Sequence, residues 1–366
     1  MAPSDYRGTL PLVTILTEPI GSIPRPASLL LAIAAFQEQE ISEAKLNEAY
    51  AEALRDTIER FERTGSPVIT DGEQTKPSFA IYPLAGLKNL APDGVTIPFA
   101  DGHVRQLPRL TAAPFRYGVY AASYLKAARR FTQSPIKQAV ISASALSLLY
   151  PYQGIPGYSR EAFLADLIDE AAADIRGALE AGADSVQIDF TEGRLSLKLD
   201  CSGNLLRSFI ALNNEVLDRL TPKERLRVGV HVCPGGDRDS THSADVDYAA
   251  LLPDLFRLTV GRFYLQMASE PDRKRALHIV SRLLGPDQIV FVGVIDPIDP
   301  VVETAAQVRN RVLEAASILP IPQLGTTDDC GFSPFADDTS TAREIAFSKI
   351  RARVEGTELA AHDLGL

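Results

Sequence analysis

Leu226-Arg227-Val228-Gly229-Val230-His231-Val232-Cys233 is a mostly apolar run that ends in a histidine and a cysteine two positions apart. Short runs of this kind suit strands buried on both faces. Residues two apart in an extended chain point to the same side, so His231 and Cys233 share one face at the strand's C-terminal end. Seven other runs have a similar make-up: Val13 to Leu16, Pro67 to Thr70, Lys137 to Ile141, Ser185 to Ile188, Arg262 to Gln266, Gln288 to Val294, and Gln323 to Thr326.

Helical patterns separate these runs. From Ser42 to Thr64 the residues Leu46, Tyr50, Ala53, Leu54, Thr57, Ile58 and Phe61 fall on one face, with Gly65 as the stop. Further helices are expected over Ser159 to Ala181, Tyr248 to Leu258, Arg273 to Leu284, Val302 to Ile318 and Thr339 to Val354. Eight strand–helix repeats predict an α/β fold of the (β/α)8 TIM-barrel type, one domain over 1–366. The rival doubly wound sheet would want a glycine-rich phosphate turn after its first strand, and none stands there. Leu84 to Arg130 breaks the alternation. It carries the turn signal Asp101-Gly102 and a helical stretch from Val119 to Phe131. It is expected to be an insertion between the second and third strands, over the barrel mouth. Gly356 to Leu366 are expected to fray.

Composition narrows the function. Of 366 residues, 45% are hydrophobic and 23% charged, which excludes wholesale disorder. No apolar run reaches about 18 residues, so a membrane span is not expected. The first residues, Met1 to Arg7, lack the basic flank and apolar core of a signal peptide. A net charge of -10 argues against nucleic acid as the main partner. Cys201, Cys233 and Cys330 are too few for a disulfide framework, and a reducing cytoplasm is the default.

In such a barrel the chemistry sits at the C-terminal ends of the strands. Those ends read Glu18 to Pro26, Asp71-Gly72-Glu73, Asp189 to Glu192, His231-Val232-Cys233, Gln266 with Glu270 beyond it, Asp296, and Asp328-Asp329-Cys330. One His and two Cys form a borderline-soft donor set that suits Zn²⁺, although H-x-C is a weak motif and buried thiols are common. Gly21 and Ser22 form either a plain turn or a cradle of N–H groups for an anion. Glu73 and Asp189 are either ordinary caps and ion-pair residues or holders of an ammonium group.

The ordered set Ile20-Gly21-Ser22-Ile23-Pro24, Asp71-Gly72-Glu73, Gln187-Ile188-Asp189, His231-Val232-Cys233, Gly293-Val294-Ile295-Asp296 and Asp328-Asp329-Cys330-Gly331 resembles the catalytic C-terminal barrel of the cobalamin-independent methionine synthase family. The resemblance implies a zinc-dependent thiol S-methyltransferase that takes a methyl group from a methylated folate or corrinoid to homocysteine. It implies zinc on His231, Cys233 and Cys330. The family's fourth ligand is a Glu near the end of the sixth strand, where Gln266 stands and Glu270 follows; Glu270 is the expected ligand. The resemblance also implies that Ile20 and Ser22 hold the amino acid carboxylate and that Glu73 and Asp189 hold its ammonium. Asp296 falls where the family carries a proton-handling His. The sequence departs from the family in three further ways. Phe190-Thr191 replaces the usual Glu-Pro, the chain has no Trp to stack on a pterin, and the N-terminal barrel of the full-length enzymes is absent. A similar family, the epoxyalkane:coenzyme M transferases, activates a sulfonate thiol, for which Arg25, Lys76 or Arg194 could serve. A non-catalytic barrel that binds zinc or a thiol is the alternative of another class.

Overall fold

Seven parallel strands form the central sheet of the computed structural model, which describes residues 14–366. They are β1 (Leu16–Thr17), β2 (Lys137–Ile141), β3 (Ser185–Asp189), β4 (Val228–Val232), β5 (Arg262–Leu265), β6 (Ile289–Ile295) and β7 (Leu324–Asp328). Their order across the sheet is β1-β7-β6-β5-β4-β3-β2. Every residue of β2, β3, β4 and β7 is buried, including polar ones such as Lys137, Gln187 and Thr327, as expected for a sheet covered on both faces. Val13, expected to open the first strand, and Met1 to Arg7 lie outside the described residues.

The sheet is strongly curled. If it were flat, its edge strands β1 and β2 would stand roughly 29 Å apart, six strand spacings. Instead Glu18, one residue beyond β1, reaches Lys137 of β2 with 3.8 Å between Oε2 and Nζ. Glu18 also accepts from Arg262 and Tyr264 of β5 at 2.7 Å each. The Lys137 ammonium lies 3.9 Å from the centre of the Tyr264 ring. Burial lowers the Lys137 pKa to about 8, against the opposing pull of Glu18.

The second expected strand is reduced to a single parallel bridge, Ile69 to Ile136. Beside it the Thr70 hydroxyl donates to the Gly21 carbonyl at 2.8 Å, and Ile23 N donates to Gly72 O at 3.0 Å. The segment thus lies between β1 and β2 but joins the chain after β1 by one side chain and one backbone bond rather than a ladder. Pro67 cannot donate to a ladder, and Gly72 turns the chain away at φ +64°.

The helix Glu43–Arg63 is capped by Ser42 and buries Leu46, Ala53, Leu54, Thr57, Ile58 and Phe61, the face that the periodicity predicts. The expected fraying at the C-terminus is corrected: the last helix, Arg343–Asp363, runs straight through Gly356. A Cβ at Gly356 would lie 2.4 Å from Val308 Cβ, so this glycine permits close packing against the helix Ala305–Ala316. Three helices of eight or more residues lay outside the sequence reading: Ala27–Gln37, Glu192–Leu199 and Asn204–Leu217. The first is apolar on nearly every side and so offers no periodicity to read. The stretch between Ile69 and β2 contains two small antiparallel pairs, Leu90–Ala91 with Arg109–Leu110 and Thr96–Pro98 with Val104–Gln106, and the helix Ala121–Ala128. Among the described residues no helix is long and apolar enough to cross a membrane.

Glu18→Gln should lower unfolding stability by about 3 kcal/mol, because Arg262 and Lys137 would stay buried without their carboxylate. Urea titration checks this, and a loss below about 0.5 kcal/mol, the range of an ordinary surface change, would show that the cross-sheet tie is dispensable.

Candidate functional site

Strand ends converge on one cavity of about 710 Å³. His231 is the fourth residue of β4, and Cys233 follows that strand directly. Cys330 stands two residues beyond β7. Ligand atoms of the three lie within 4.8 Å of one another, and all three residues are buried. The Cys233 and Cys330 sulfurs are 3.1 Å apart. Gly235 N donates to Cys233 Sγ at 3.4 Å. Neither ring nitrogen of His231 has a hydrogen-bond partner. A buried imidazole normally finds one, so the orphan marks a place for a ligand. Two sulfurs in contact favour one thiolate between them. The Cys233 thiol, and then His231, hold Cys330 well below the ordinary thiol range, while the same contact and burial push Cys233 up.

The expected carboxylates also face this cavity. Asp189 ends β3 and is the register partner of His231 on β4. Gln187 Nε2 donates to its Oδ1 at 2.7 Å, and burial raises its pKa. Glu73 enters through a strained turn. Gly72 and Glu73 both have positive φ, +64° and +56°, and Asp71 Oδ1 accepts from Glu73 N at 2.9 Å. A Cβ at Gly72 would lie 2.5 Å from Thr57, so only glycine fits there. Ser22 lines the cavity beside Gly331, where a Cβ would come within 2.1 Å of the Ser22 hydroxyl. Ile20 lines it too, although its N–H points toward Asp328 at 3.4 Å.

Other expected residues lie apart from the three donors. Glu270 is not in the donor group; its nearest ion partner is Arg194 at 4.0 Å. Gln266 is engaged, accepting from Arg194 Nη1 at 2.6 Å and donating to Ser269 at 2.7 Å. Asp296 does not line the cavity, and its carboxylate accepts from Ile298 N at 3.0 Å. The register between β6 and β7 shifts between Gly293 and Ile295, and such a bulge breaks the alternation that would have aimed the next side chains. Arg25 is also committed, donating to the carbonyls of Glu73 and Lys76 at 2.8 Å each.

Two site residues were not legible as such. Lys76, weighed only as a sulfonate partner, is 2% exposed. It donates to Glu73 Oε1 at 3.1 Å and to Ala139 O at 2.9 Å, and lies 4.6 Å from the Tyr82 ring centre. His242 lines the cavity, with Nδ1 2.9 Å from Ser243 Oγ, and burial lowers its pKa to about 4. A Cβ at Gly235 would overlap its ring, so the glycine pair after Cys233 is the one sequence signal of a residue folding back there.

A parallel α/β sheet with a buried nitrogen–sulfur donor set at its C-terminal strand ends defines a class of proteins able to hold a soft metal ion. Within that class, residues 15–355 match the model of the cobalamin-independent synthase catalytic domain, and the chain belongs to that family. A 2-hydroxypropyl-CoM lyase of Xanthobacter autotrophicus is 26% identical over 96% of each chain. A methionine synthase of Saccharolobus islandicus is 22% identical over 97% of each. The fold matches a B12-independent methionine synthase from Shewanella, solved with selenomethionine, at a TM-score of 0.74 and 18% identity, over 96% of this chain and 99% of that one.

Burial raises the Glu73 pKa to about 7, with Lys76 opposing the rise. A folded pKa above the ordinary carboxyl value gives a stabilisation that is full below about pH 4.5 and is lost as the pH climbs through about 7. Lys76→Met should extend that window upward and leave Glu73 protonated at neutral pH. Difference infrared spectra at pH 7 should then gain a protonated-acid carbonyl band; an unchanged spectrum would refute the coupling.

Proposed function

We propose that this protein is a zinc-dependent thiol S-methyltransferase related to methionine synthase, acting on a homocysteine-like thiol. The observation that carries it is the convergence of His231, Cys233 and Cys330 within 4.8 Å of one another at the inner end of the cavity, which His231 and Cys330 line, with both His231 nitrogens unpartnered. The donor set fits Zn²⁺: one imidazole and two sulfurs, leaving a position for an exogenous thiol. When bound, zinc supplies a Lewis-acid centre that makes a thiol nucleophilic at neutral pH. Gln266 is hydrogen-bonded to Arg194 and Glu270 does not join the three donors, so we assign the fourth position to the substrate sulfur rather than to a protein side chain. The rest of the chemistry belongs to the protein's own groups. Asp189 and Glu73 offer carboxylates to the substrate ammonium, and Ser22 and the backbone near Ile20 face its carboxylate. Burial strengthens these contacts and excludes water. Asp296 lies outside the cavity lining, and we give it no role. We take the architecture as one (β/α)8 domain, with Pro67 to Thr70 as a second strand worn down to one bridge and 84–130 as an insertion at the mouth.

One observation favours a second reading. The Lys76 ammonium already sits at 3.1 Å from Glu73, where the substrate ammonium would go. A thiol with an anionic tail and no amine, such as coenzyme M, would compete with Glu73 for that cation.

Cys233→Ser and Cys330→Ser should each weaken zinc affinity by about a hundredfold or more, since each removes a ligand. Metal analysis, with thiol alkylation assayed on homocysteine and coenzyme M, tests the proposal. Undiminished activity in metal-free protein would sink it. Turnover of coenzyme M alone would transfer the assignment to the second reading.

A further inference from the structure

We propose that the electrophile of this site is an uncharged, largely hydrocarbon molecule, held by the outer part of the cavity. The inference rests on the thiol reading above for the cavity's inner end. It is carried by what lines the remainder of the space. Outside the strand ends the walls are mainly apolar, with Phe79, Ile81, Ile97, Phe99, Leu148 and Phe335 set among a few polar groups such as Gln106 and the Arg105–Asp337 pair. Among the described lining residues the lysines and arginines are Lys76 and Arg105, and both are already paired. Lys76 is held by Glu73. Arg105 is held by Asp237, through Nη2 to Oδ1 at 3.0 Å, and by Asp337 at 3.0 Å, with its guanidinium 4.0 Å from the Phe335 ring centre. A polyanionic donor would bury carboxylates against this wall with no free cation to meet them, which is strongly unfavourable.

The entrance continues the same chemistry. Phe36 and Val104 line the cavity and are still 38% and 55% exposed. Phe36 belongs to the helix Ala27–Gln37, ASLLLAIAAFQ, which has no charged residue and buries only Leu29. An uncharged helix left open to water beside an apolar cavity is the arrangement that a hydrophobic ligand completes. The volume, about 710 Å³, is that of a site for a mid-sized organic molecule.

The step balances without an oxidant. The thiol S–H bond and the donor's carbon–heteroatom bond break; an S–C and a heteroatom–H bond form. Sulfur supplies the new bonding pair. The departing oxygen or nitrogen keeps the old pair and ends with the proton that the thiol released.

The test is equilibrium binding of N-phenyl-1-naphthylamine, an uncharged fluorescent probe, to the zinc-loaded protein, with 5-methyltetrahydropteroyl triglutamate as competitor. Saturable binding that is insensitive to salt and about tenfold weaker in Phe36→Asp and in Val104→Asp supports the proposal, and Phe36→Leu should retain it. No saturable binding overturns it, as does tight, salt-sensitive binding of the triglutamate. The cobalt-substituted protein separates the two claims. A change in its thiolate absorption on adding homocysteine, without probe binding, refutes the apolar electrophile and leaves the thiol reading standing. Probe binding without that change refutes the thiol reading instead.

Discussion

Glu18 holds together parts of the sheet that lie far apart in strand order. Its carboxylate meets Lys137 on one edge and Arg262 and Tyr264 of β5 near the middle, while its own backbone leaves the opposite edge. A carboxylate with three such partners is satisfied only when the sheet curls until its edges approach. The curl in turn gathers the C-terminal ends of β1, β2, β3, β4 and β7 around one space. Cys233 and Cys330 follow β4 and β7, strands that are not neighbours, and bring their sulfurs to 3.1 Å across that space. The donor set is therefore a consequence of curvature before it is a consequence of any motif.

A second tie works from outside the sheet. Arg353, fully buried on the last helix, donates to Asp328 of β7 and to Thr17 of β1, the latter at 3.1 Å. It binds the two strands where the ladder is only two residues long. Asp329 then fixes the loop after β5, accepting from the backbone of Met267 and Ala268 at 2.8 Å and of Ser269 at 2.7 Å. Of three consecutive residues, the first closes the sheet, the second sets a loop, and the third faces the cavity as a sulfur donor. Their different surroundings explain why adjacent polar residues serve such different ends.

This division also explains what the sequence disclosed. Buried parallel strands are short, largely apolar runs, so six of the sheet strands were legible to within two residues, and their polar ends pointed to His231, Cys233, Cys330 and Asp189, while Glu73 was read from the end of Pro67 to Thr70. The (β/α) alternation was likewise legible, whereas Pro67 to Thr70, which reads as a full strand, keeps only a single bridge at Ile69, because pairing depends on the neighbouring backbone and not on apolar character alone. Lys76 was hard to assign because its place depends on the paired left-handed residues Gly72 and Glu73, a turn with no hydrophobic period. His242 comes to the cavity by a chain reversal after Gly235 and Gly236, and Asp296 is turned aside by a bulge. Tertiary register, not local propensity, decides such positions. The helix Ala27–Gln37 went unread for the opposite reason: it has too many apolar residues to show a face.

Gly293 has a consequence of a different kind. The space that its side chain would fill is taken by Asp329 Oδ1, only 1.8 Å from where a Cβ would stand. The two positions therefore tolerate change only together. A lineage that replaced the glycine first would displace the carboxylate and loosen the loop after β5. One that first shortened the aspartate would remove the nearer obstacle but leave the Met267 nitrogen 2.9 Å from the Cβ position. The order in which the two sites drift is thus constrained by geometry, and the pair behaves as one inherited unit although 36 positions of chain divide them.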